Sequence, residues 1–294
     1  MLIQDVRSSP CPLSGTSQCD LGATATATVT ATTTSAPMDS AITLPSYTTS
    51  TTTIPLNAVG SNVSAGSGDG LASKRGISYN VDDLVQPFSG NISWKYNWGT
   101  NGESSANIEY VPMLWGLTSQ FPESLQNSKA VLSFNEPDNV NQSNIDPISA
   151  AKHHRAAFLD WKGKVQIGSP AITNGPAPMG IDWLTRFFQA CGAGCPLSLV
   201  AFHWYGSGPN AIGDLRAHVQ AVIELAAQFG VLEVWLTEFG LDQGTQGEQA
   251  NFMTEAVKFL DSTPSVGRYA AFMASDGTLL DGGTLNVVGE AYIA

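Results

Sequence analysis

Two short runs in the sequence each place a glutamate at the end of an apolar stretch. Glu136 is followed by Pro137, which cannot donate a ladder hydrogen bond and so ends a strand there. Glu238 is followed two residues later by Gly240, which allows a sharp turn. Either glutamate alone could be a solvated loop carboxylate. Two that face each other can hydrolyse a glycosidic bond, since one protonates the leaving oxygen while the other attacks the sugar carbon. A separation of ~5 to 5.5 Å gives retention of configuration.

A sugar site also needs flat aromatic faces and neutral hydrogen-bonding side chains. The predicted strand ends supply both kinds, and the candidates for substrate binding are Tyr79, Tyr96, Asn97, Trp98, Trp115, Asn135, His203 and Tyr205. Period-two alternation places His203 and Tyr205 on one face of their strand and directs Trp204 towards helices. Trp235 is out of phase with Glu238, so we expect it to pack against helices as well.

The positions of these groups depend on a regular series of strands and helices. Eight apolar runs predict strands at 75–80, 92–98, 108–115, 130–136, 165–170, 197–205, 232–239 and 268–273. Helical periodicity is clearest at 149–161, 211–229 and 247–260, whereas the connections between the first three strands are short and poor in helix signal.

Strands that alternate with helices over residues 74–294 predict an α/β fold, the (β/α)8 TIM-type barrel, whose active site lies where the strands end. The fourth and seventh strands lie on opposing sides of such a ring, so Glu136 and Glu238 would face each other. A doubly wound open sheet is the alternative. It normally has a Gly-rich turn after its first strand, and the segment 79–82 contains no glycine.

Residues 1–73 differ in composition from the rest of the chain. The stretch 21–60 holds 17 serines or threonines in 40 positions and one charged residue, Asp39. Its few large apolar side chains cannot offset the entropy lost on ordering. We therefore predict a disordered Thr/Ser-rich stalk or linker at 1–73, either O-glycosylated or a plain spacer, before one domain at 74–294.

The charge balance excludes several classes of partner. The chain carries 25 acidic and 13 basic residues, a formal net charge of -12, which argues against nucleic acid and anionic membrane surfaces. No apolar run reaches the ~18 to 20 residues of a membrane span. The four histidines are scattered, so we expect no metal and no cofactor. We expect a monomer.

The four cysteines form two closely spaced pairs, Cys11 with Cys19 and Cys191 with Cys195. Three pairings are formally possible, but the spacing favours two local disulfides and an oxidising compartment. We therefore expect a secreted or cell-wall protein, although the sequence contains no signal peptide.

Six ordered motifs resemble those of the fungal alkali-sensitive-linkage-type glycosyl hydrolases of glycoside hydrolase family 128. They read KRGISYN at 74–80, WKYNW at 94–98, YVPMLWG at 110–116, LSFNEPD at 132–138, FHWYG at 202–206 and LTEFG at 236–240. The resemblance implies a TIM-type barrel that cleaves β-1,3-glucan with retention, with Glu136 as acid/base and Glu238 as nucleophile. It also implies that Asn135 holds the sugar 2-hydroxyl.

The resemblance is incomplete in the eighth predicted strand, where family members often carry a bulky aromatic residue. If Ala271 faces the cleft, the missing ring weakens or reshapes a sugar subsite; if it faces the helices, Ala271 is part of the core. Two other functions stay open at this stage: a non-catalytic glucan-binding wall protein, and a barrel glycosidase that acts on another β-linked polymer such as mannan or cellulose.

Overall fold

The structure is a computed structural model that describes residues 73–119 and 128–294. The predicted stalk at 1–73 lies outside the described residues apart from Ser73, and so does the Cys11–Cys19 pair.

Parallel strands form the centre of the described part. In chain order the strands are β1 (Arg75–Tyr79), β2 (Trp94–Tyr96), β3 (Glu109–Tyr110), β4 (Ala130–Val131), β5 (Gln166–Ile167), β6 (Val200–Gly206), β7 (Val234–Leu241), β8 (Val266–Ala274), β9 (Leu280–Asp281) and β10 (Thr284–Leu285). Six of them form one parallel sheet in the order β3-β2-β1-β8-β7-β6. β4 pairs with β5 in parallel, and β9 with β10 in an antiparallel hairpin. The first eight strands confirm the eight predicted positions.

β3, β4 and β5 are much shorter than the runs that predict them. Two of these runs contain a proline, which has no N–H for a ladder hydrogen bond. Parallel pairing continues beyond them as isolated bridges, Met113 with Leu132 and Gly168 with Leu199. These bridges link the segment after β3 to the segment after β4, and the segment after β5 to the residue before β6.

Five α-helices are described: α1 (Pro147–Phe158), α2 (Gly180–Cys191), α3 (Ala211–Gln228), α4 (Gln246–Ser262) and α5 (Val287–Ile293). α1 begins where the Asp146 carboxylate accepts from two backbone N–H groups. α4 begins with a capping box between Thr245 and Glu248. Between β1 and β2 there is only a 3-10 helix, Asp82–Phe88, which agrees with the weak helix signal in that connection.

Buried apolar residues form two clusters. A helix-side cluster includes residues of the helices, such as Phe158, Phe187, Leu215 and Phe252. A strand cluster comprises Trp94, Tyr96, Trp98, Val111, Met113, Ala130, Leu132, Ala171, Leu199, Ala201, Trp235 and Ala270. Trp204 stacks on Phe252 of α4 with 5.4 Å between ring centroids, so its predicted direction towards the helices is confirmed.

Trp235 belongs to the strand cluster, and our expectation that it packs against helices is wrong. Its ring lies 5.4 Å from that of Trp94. The pairing of β6 with β7 gives the reason: Phe202 pairs with Leu236 but His203 pairs with Glu238, so that Thr237 is an extra residue. This β-bulge interrupts the alternation, and Trp235 and Glu238 therefore share a face.

Cys191 and Cys195 form a disulfide at the end of α2, which confirms one of the two predicted local pairs. No helix within 73–119 and 128–294 is long and apolar enough to cross a membrane.

Candidate active site

Glu136 lies beyond the end of β4 in an unusual backbone conformation. Its φ of 40° is in the left-handed region, which costs a residue with a side chain about 1 to 3 kcal/mol. Its N–H donates to the Ala171 carbonyl at 2.8 Å, and its carbonyl accepts from Asn139 at 3.0 Å. These bonds hold the strained backbone. Glu136 as a whole is 8% exposed, and its carboxylate accepts from the Asn139 amide at 3.1 Å.

Glu238 lies on β7, one residue after the bulge, and is 6% exposed. Its Oε1 accepts from Trp98 Nε1 at 2.7 Å, and its Oε2 accepts from the Tyr205 hydroxyl at 2.6 Å. The Tyr96 hydroxyl lies 3.5 Å from Oε1 and donates to the Thr237 carbonyl at 2.8 Å. Two short hydrogen bonds therefore fix the orientation of this carboxylate.

His203 lies between the two glutamates. Its Nδ1 is 2.9 Å from Glu136 Oε1, and its Nε2 is 3.5 Å from Glu238 Oε1. One carboxylate oxygen of each glutamate and one ring nitrogen of His203 all lie within 4.8 Å of one another. The structure thus brings together two carboxyl groups that the sequence separates by about one hundred residues.

The electrostatics of the three groups are linked. Burial alone raises the pKa of Glu136, but the hydrogen bond and charge of His203 and the Asn139 amide lower it below the usual value. Burial raises the pKa of Glu238, and the charge of Glu136 adds to this, while His203, Tyr205 and Trp98 oppose it. Burial lowers the pKa of His203, but the two carboxylates outweigh it and raise that pKa above the ordinary histidine value.

The other predicted substrate-binding residues differ in their surroundings. Asn135 is 4% exposed, its Nδ2 donates to Gln142 at 3.2 Å, and its Oδ1 has no hydrogen-bond partner among the described residues. The half-buried Trp115 packs against the strand cluster. Asn97 instead bonds to the loop that follows it, and Tyr79 lies under Lys95, with 5.1 Å from the ammonium nitrogen to the ring centroid.

Two contributors were missed by the sequence analysis. Phe272 of β8 lies 5.7 Å from the ring of Trp98 and 5.8 Å from that of Tyr205, edge to face with both. Ala271 is fully buried in the helix-side cluster. Of the two orientations left open for Ala271, the structure shows the one that faces the helices, and the next residue, Phe272, contacts the rings near the glutamates. Asn139, the amide donor to Glu136, was the second residue missed.

Glu136, His203 and Glu238 also have donor atoms that could bind a metal ion. The same three groups form an acid–base set, since each carboxylate already accepts from a neutral donor and a histidine connects them. The arrangement can therefore hold a proton on either carboxyl group, while His203 Nε2, which has no hydrogen-bond partner among the described residues, lies 3.5 Å from Glu238.

Comparison with known proteins agrees with this geometry. The family model of the glycosyl hydrolase catalytic core matches residues 75–292. No curated protein sequence matches the chain significantly. Among solved structures, a curdlan-specific exo-β-1,3-glucanase of glycoside hydrolase family 128, subgroup III, from Blastomyces gilchristii is 37% identical. The match covers 74% of this chain and 96% of that chain, with a TM-score of 0.67.

Two further structures of the same family are also similar. The subgroup II endo-β-1,3-glucanase from Sorangium cellulosum is 28% identical over 75% of this chain and 97% of that chain, with a TM-score of 0.62. A subgroup I endo-β-1,3-glucanase from Amycolatopsis mediterranei, a glutamate-to-alanine mutant in complex with laminaripentaose, is 27% identical over 76% and 99%, with a TM-score of 0.63. By its match to the catalytic-core model and its likeness to these enzymes, the chain belongs to glycoside hydrolase family 128.

Proposed function

We propose that this protein hydrolyses β-1,3-glucan with retention of configuration, by a double displacement that uses Glu136 as acid/base and Glu238 as nucleophile. The observation that carries the proposal is the buried carboxylate pair, whose nearest ligand oxygens lie within 4.8 Å of one another. That spacing suits direct attack, whereas an inverting enzyme needs ~6.5 to 9.5 Å between its carboxyl groups to admit a water. The choice of β-1,3-glucan follows from the substrates named for the related structures.

The proposal includes closure of the strands into a (β/α)8 barrel. Support comes from the sheet order, in which the first strand pairs with the eighth, and from the bridges that connect β3 to β4 and β5 to β6. In a closed ring β4 and β7 are on opposite sides, so the ends of these strands would present the two carboxyl groups to one cleft.

In the first step Glu136 would protonate the departing glycosidic oxygen while Glu238 attacks the anomeric carbon to give a covalent glycosyl-enzyme. In the second step Glu136 would take a proton from a water that releases the sugar. The donors Trp98 and Tyr205 hold Glu238 with its oxygens oriented and favour its ionised form, which is the nucleophile.

The productive form has one proton on the pair, carried by Glu136. In the unliganded site the pKa of Glu136 is lowered and that of Glu238 raised, so this form is the less populated of the two singly protonated forms. The profile of kcat/KM against pH is bell-shaped whichever glutamate carries the proton, because the two apparent pKa values describe the pair as a whole. We expect its optimum on the acid side of neutrality.

Substrate binding would use the groups around the pair. The buried Asn135 Oδ1, which lacks a partner among the described residues, is available to a sugar hydroxyl. The ring of Phe272, which contacts those of Trp98 and Tyr205, forms with them an apolar surface for glucose units. The Cys191–Cys195 disulfide supports work in an oxidising compartment, so we also propose that the protein acts outside the cell or at a cell wall.

The test compares wild-type protein with Glu238→Ala, Glu136→Ala and the exposed control Glu224→Gln. We expect wild type and control to cleave laminarin but not cellulose or mannan, and to release the β-anomer first, as seen by proton NMR. Glu238→Ala should be inactive. Glu136→Ala should regain activity on an aryl β-glucoside when azide is added, because a good leaving group needs little protonation.

Other outcomes would assign a different function. Binding of laminarin without release of reducing ends would identify a glucan-binding protein. A first-formed α-anomer would contradict the double displacement. Loss of activity with EDTA and its return with a divalent cation would contradict a mechanism that depends on two carboxyl groups alone.

A further inference from the structure

Tyr205 is held in place by a side chain from the segment that follows β5. Asn174 Nδ2 donates to the Tyr205 carbonyl at 2.8 Å, and Asn174 Oδ1 accepts from the Tyr205 N–H at 3.1 Å. This is the pair of bonds that a neighbouring strand would supply. Backbone pairing on this side reaches only the bridge between Ile172 and Phe202. The side-chain amide of Asn174 therefore makes the two hydrogen bonds to β6 that the backbone of its own segment no longer makes at this position.

Asn174 is itself fixed by its neighbours. The Asp138 carboxylate accepts from the N–H of Thr173 at 3.1 Å, from the hydroxyl of Thr173 at 2.6 Å and from the N–H of Gly180 at 2.8 Å. Asp138 lies two residues after Glu136. A continuous series of hydrogen bonds and short backbone links thus runs from the Glu136 segment through Asp138, Thr173 and Asn174 to Tyr205.

Tyr205 in turn donates its hydroxyl to Glu238 Oε2 at 2.6 Å. So short a bond tolerates little displacement of the donor. Tyr205 is near the end of β6, where strand pairing with β7 stops one residue later, at Gly206. The Asn174 amide is therefore the support for the Tyr205 backbone on the side away from β7.

We propose that Asn174 is a positioning residue, which fixes the backbone of Tyr205 so that the phenol hydroxyl meets Glu238. This inference rests on the proposed role of Glu238 but assigns a function to a residue outside every motif described above. Glu238 also faces Glu136 from the β4 segment, His203 from β6, and Tyr96 and Trp98 from the β2 segment. Asn174 bonds to none of these four, so its loss should act through the Tyr205 hydroxyl.

The direction of the effect follows from the chemistry. A hydroxyl that donates to a carboxylate favours the ionised form, so a displaced Tyr205 raises the pKa of Glu238. Glu238 is the carboxyl group with the higher pKa of the pair, so the basic limb of the kcat/KM profile would move to higher pH and the form that carries the proton on Glu136 would become rarer. Loss of one hydrogen bond to a charged group corresponds to about a tenfold fall in rate.

The experiment uses the full chain and four variants: Asn174→Ala, Tyr205→Phe, their double variant and the exposed control Asn210→Ala. Turnover of laminarin is measured across pH. In parallel, protein labelled with carbon-13 at the glutamate carboxyl is titrated by NMR, and the Glu238 signal is assigned from its absence in Glu238→Gln. We expect Asn174→Ala and Tyr205→Phe each to lower kcat/KM about tenfold and to raise the Glu238 pKa, and the double variant to be no worse than Tyr205→Phe alone.

Additive losses in the double variant, or an unchanged Glu238 pKa in Asn174→Ala, would overturn the proposal. If Asn174→Ala does not fold, Asn174→Asp replaces it, since it keeps the acceptor for the Tyr205 N–H and loses the donor to the Tyr205 carbonyl. An inactive wild-type protein would refute the proposed hydrolysis, while the NMR titration would still decide the role of Asn174.

Discussion

His154 and His203 are equally buried, each 0% exposed, and yet their pKa values shift in opposite directions. His154 of α1 lies between neutral partners: its Nδ1 is 2.9 Å from the Ser133 hydroxyl, and its Nε2 is 3.1 Å from the Pro196 carbonyl. Burial there lowers its pKa to about 4. His203 lies between two carboxylates, and their charges raise its pKa in spite of burial.

The comparison shows that charged partners, rather than burial, distinguish a group that carries a proton from one that only packs. His154 contacts the ring of Phe158 at 4.6 Å and acts as a neutral member of the core. His203 can be charged in the folded protein because Glu136 and Glu238 compensate it. Ala271 and Phe272, two neighbours on β8, differ in the same way: one packs in the core and the other contacts rings of the site.

The largest effect is expected for His203→Gln. This substitution removes both a buried hydrogen bond to Glu136, worth about 1.5 to 3 kcal/mol, and the positive charge between the two glutamates, so it should lower kcat/KM on laminarin roughly 100-fold. Removal of its positive charge should raise the pKa of both glutamates, so both limbs of the pH profile should move to higher pH. Rates measured across pH test this, with the exposed His153→Gln as the matched control. A slower enzyme whose profile does not move would mean that His203 carries no charge in the working enzyme.

His154 should affect stability rather than turnover. Its folded pKa of about 4 lies below the ordinary value of 6.5, so the unfolded chain binds the proton more readily. Neutral His154 therefore contributes its full share to the free energy of unfolding above pH 6.5. This contribution falls by about 3 kcal/mol as the pH drops to 4, at 1.36 kcal/mol per pKa unit.

Urea unfolding at pH 7, 5.5 and 4 measures this loss. The free energy of unfolding of His154→Gln should fall less with acid than that of wild type, because carboxylate contributions are common to both proteins. Parallel curves for the two proteins would contradict the lowered pKa of His154.

The sequence predicted the strands better than the direction of their side chains. All eight runs contain or overlap a strand, because short apolar segments bounded by turn residues are a local signal. The wrong direction for Trp235 came from the extra residue Thr237, a bulge that depends on pairing between β6 and β7 and leaves no mark in the sequence of either.

The candidate site was predictable in its residue types and less so in its connections. His203, Tyr205 and Glu238 lie on β6 and β7 and Glu136 lies beyond the end of β4, and alternation together with the proline and glycine that follow the glutamates points to them. The bonds made by Asn139 and Asn174 depend on how loops fold back onto the strands, and an asparagine in a loop is by itself an ordinary turn residue.

Ala271 and Phe272 repeat the contrast between core and site within one strand, and the smallest predicted effects concern them. Ala271 is fully buried, and its N–H lies 3.4 Å from the Tyr292 hydroxyl of α5. Ala271→Trp should therefore overpack the core and lower the free energy of unfolding by about 1 to 3 kcal/mol.

Phe272 contacts Trp98 and Tyr205 beside the carboxylates. Phe272→Ala should therefore weaken binding of a β-1,3-linked glucose hexamer about five- to tenfold, which corresponds to the free energy of one ring contact. Calorimetry in a Glu238→Gln background measures the affinity, and thermal melting measures the fold. Tighter binding by Ala271→Trp with unchanged melting would mean that Ala271, and not Phe272, faces the cleft, since neighbouring residues of a strand point to opposite sides.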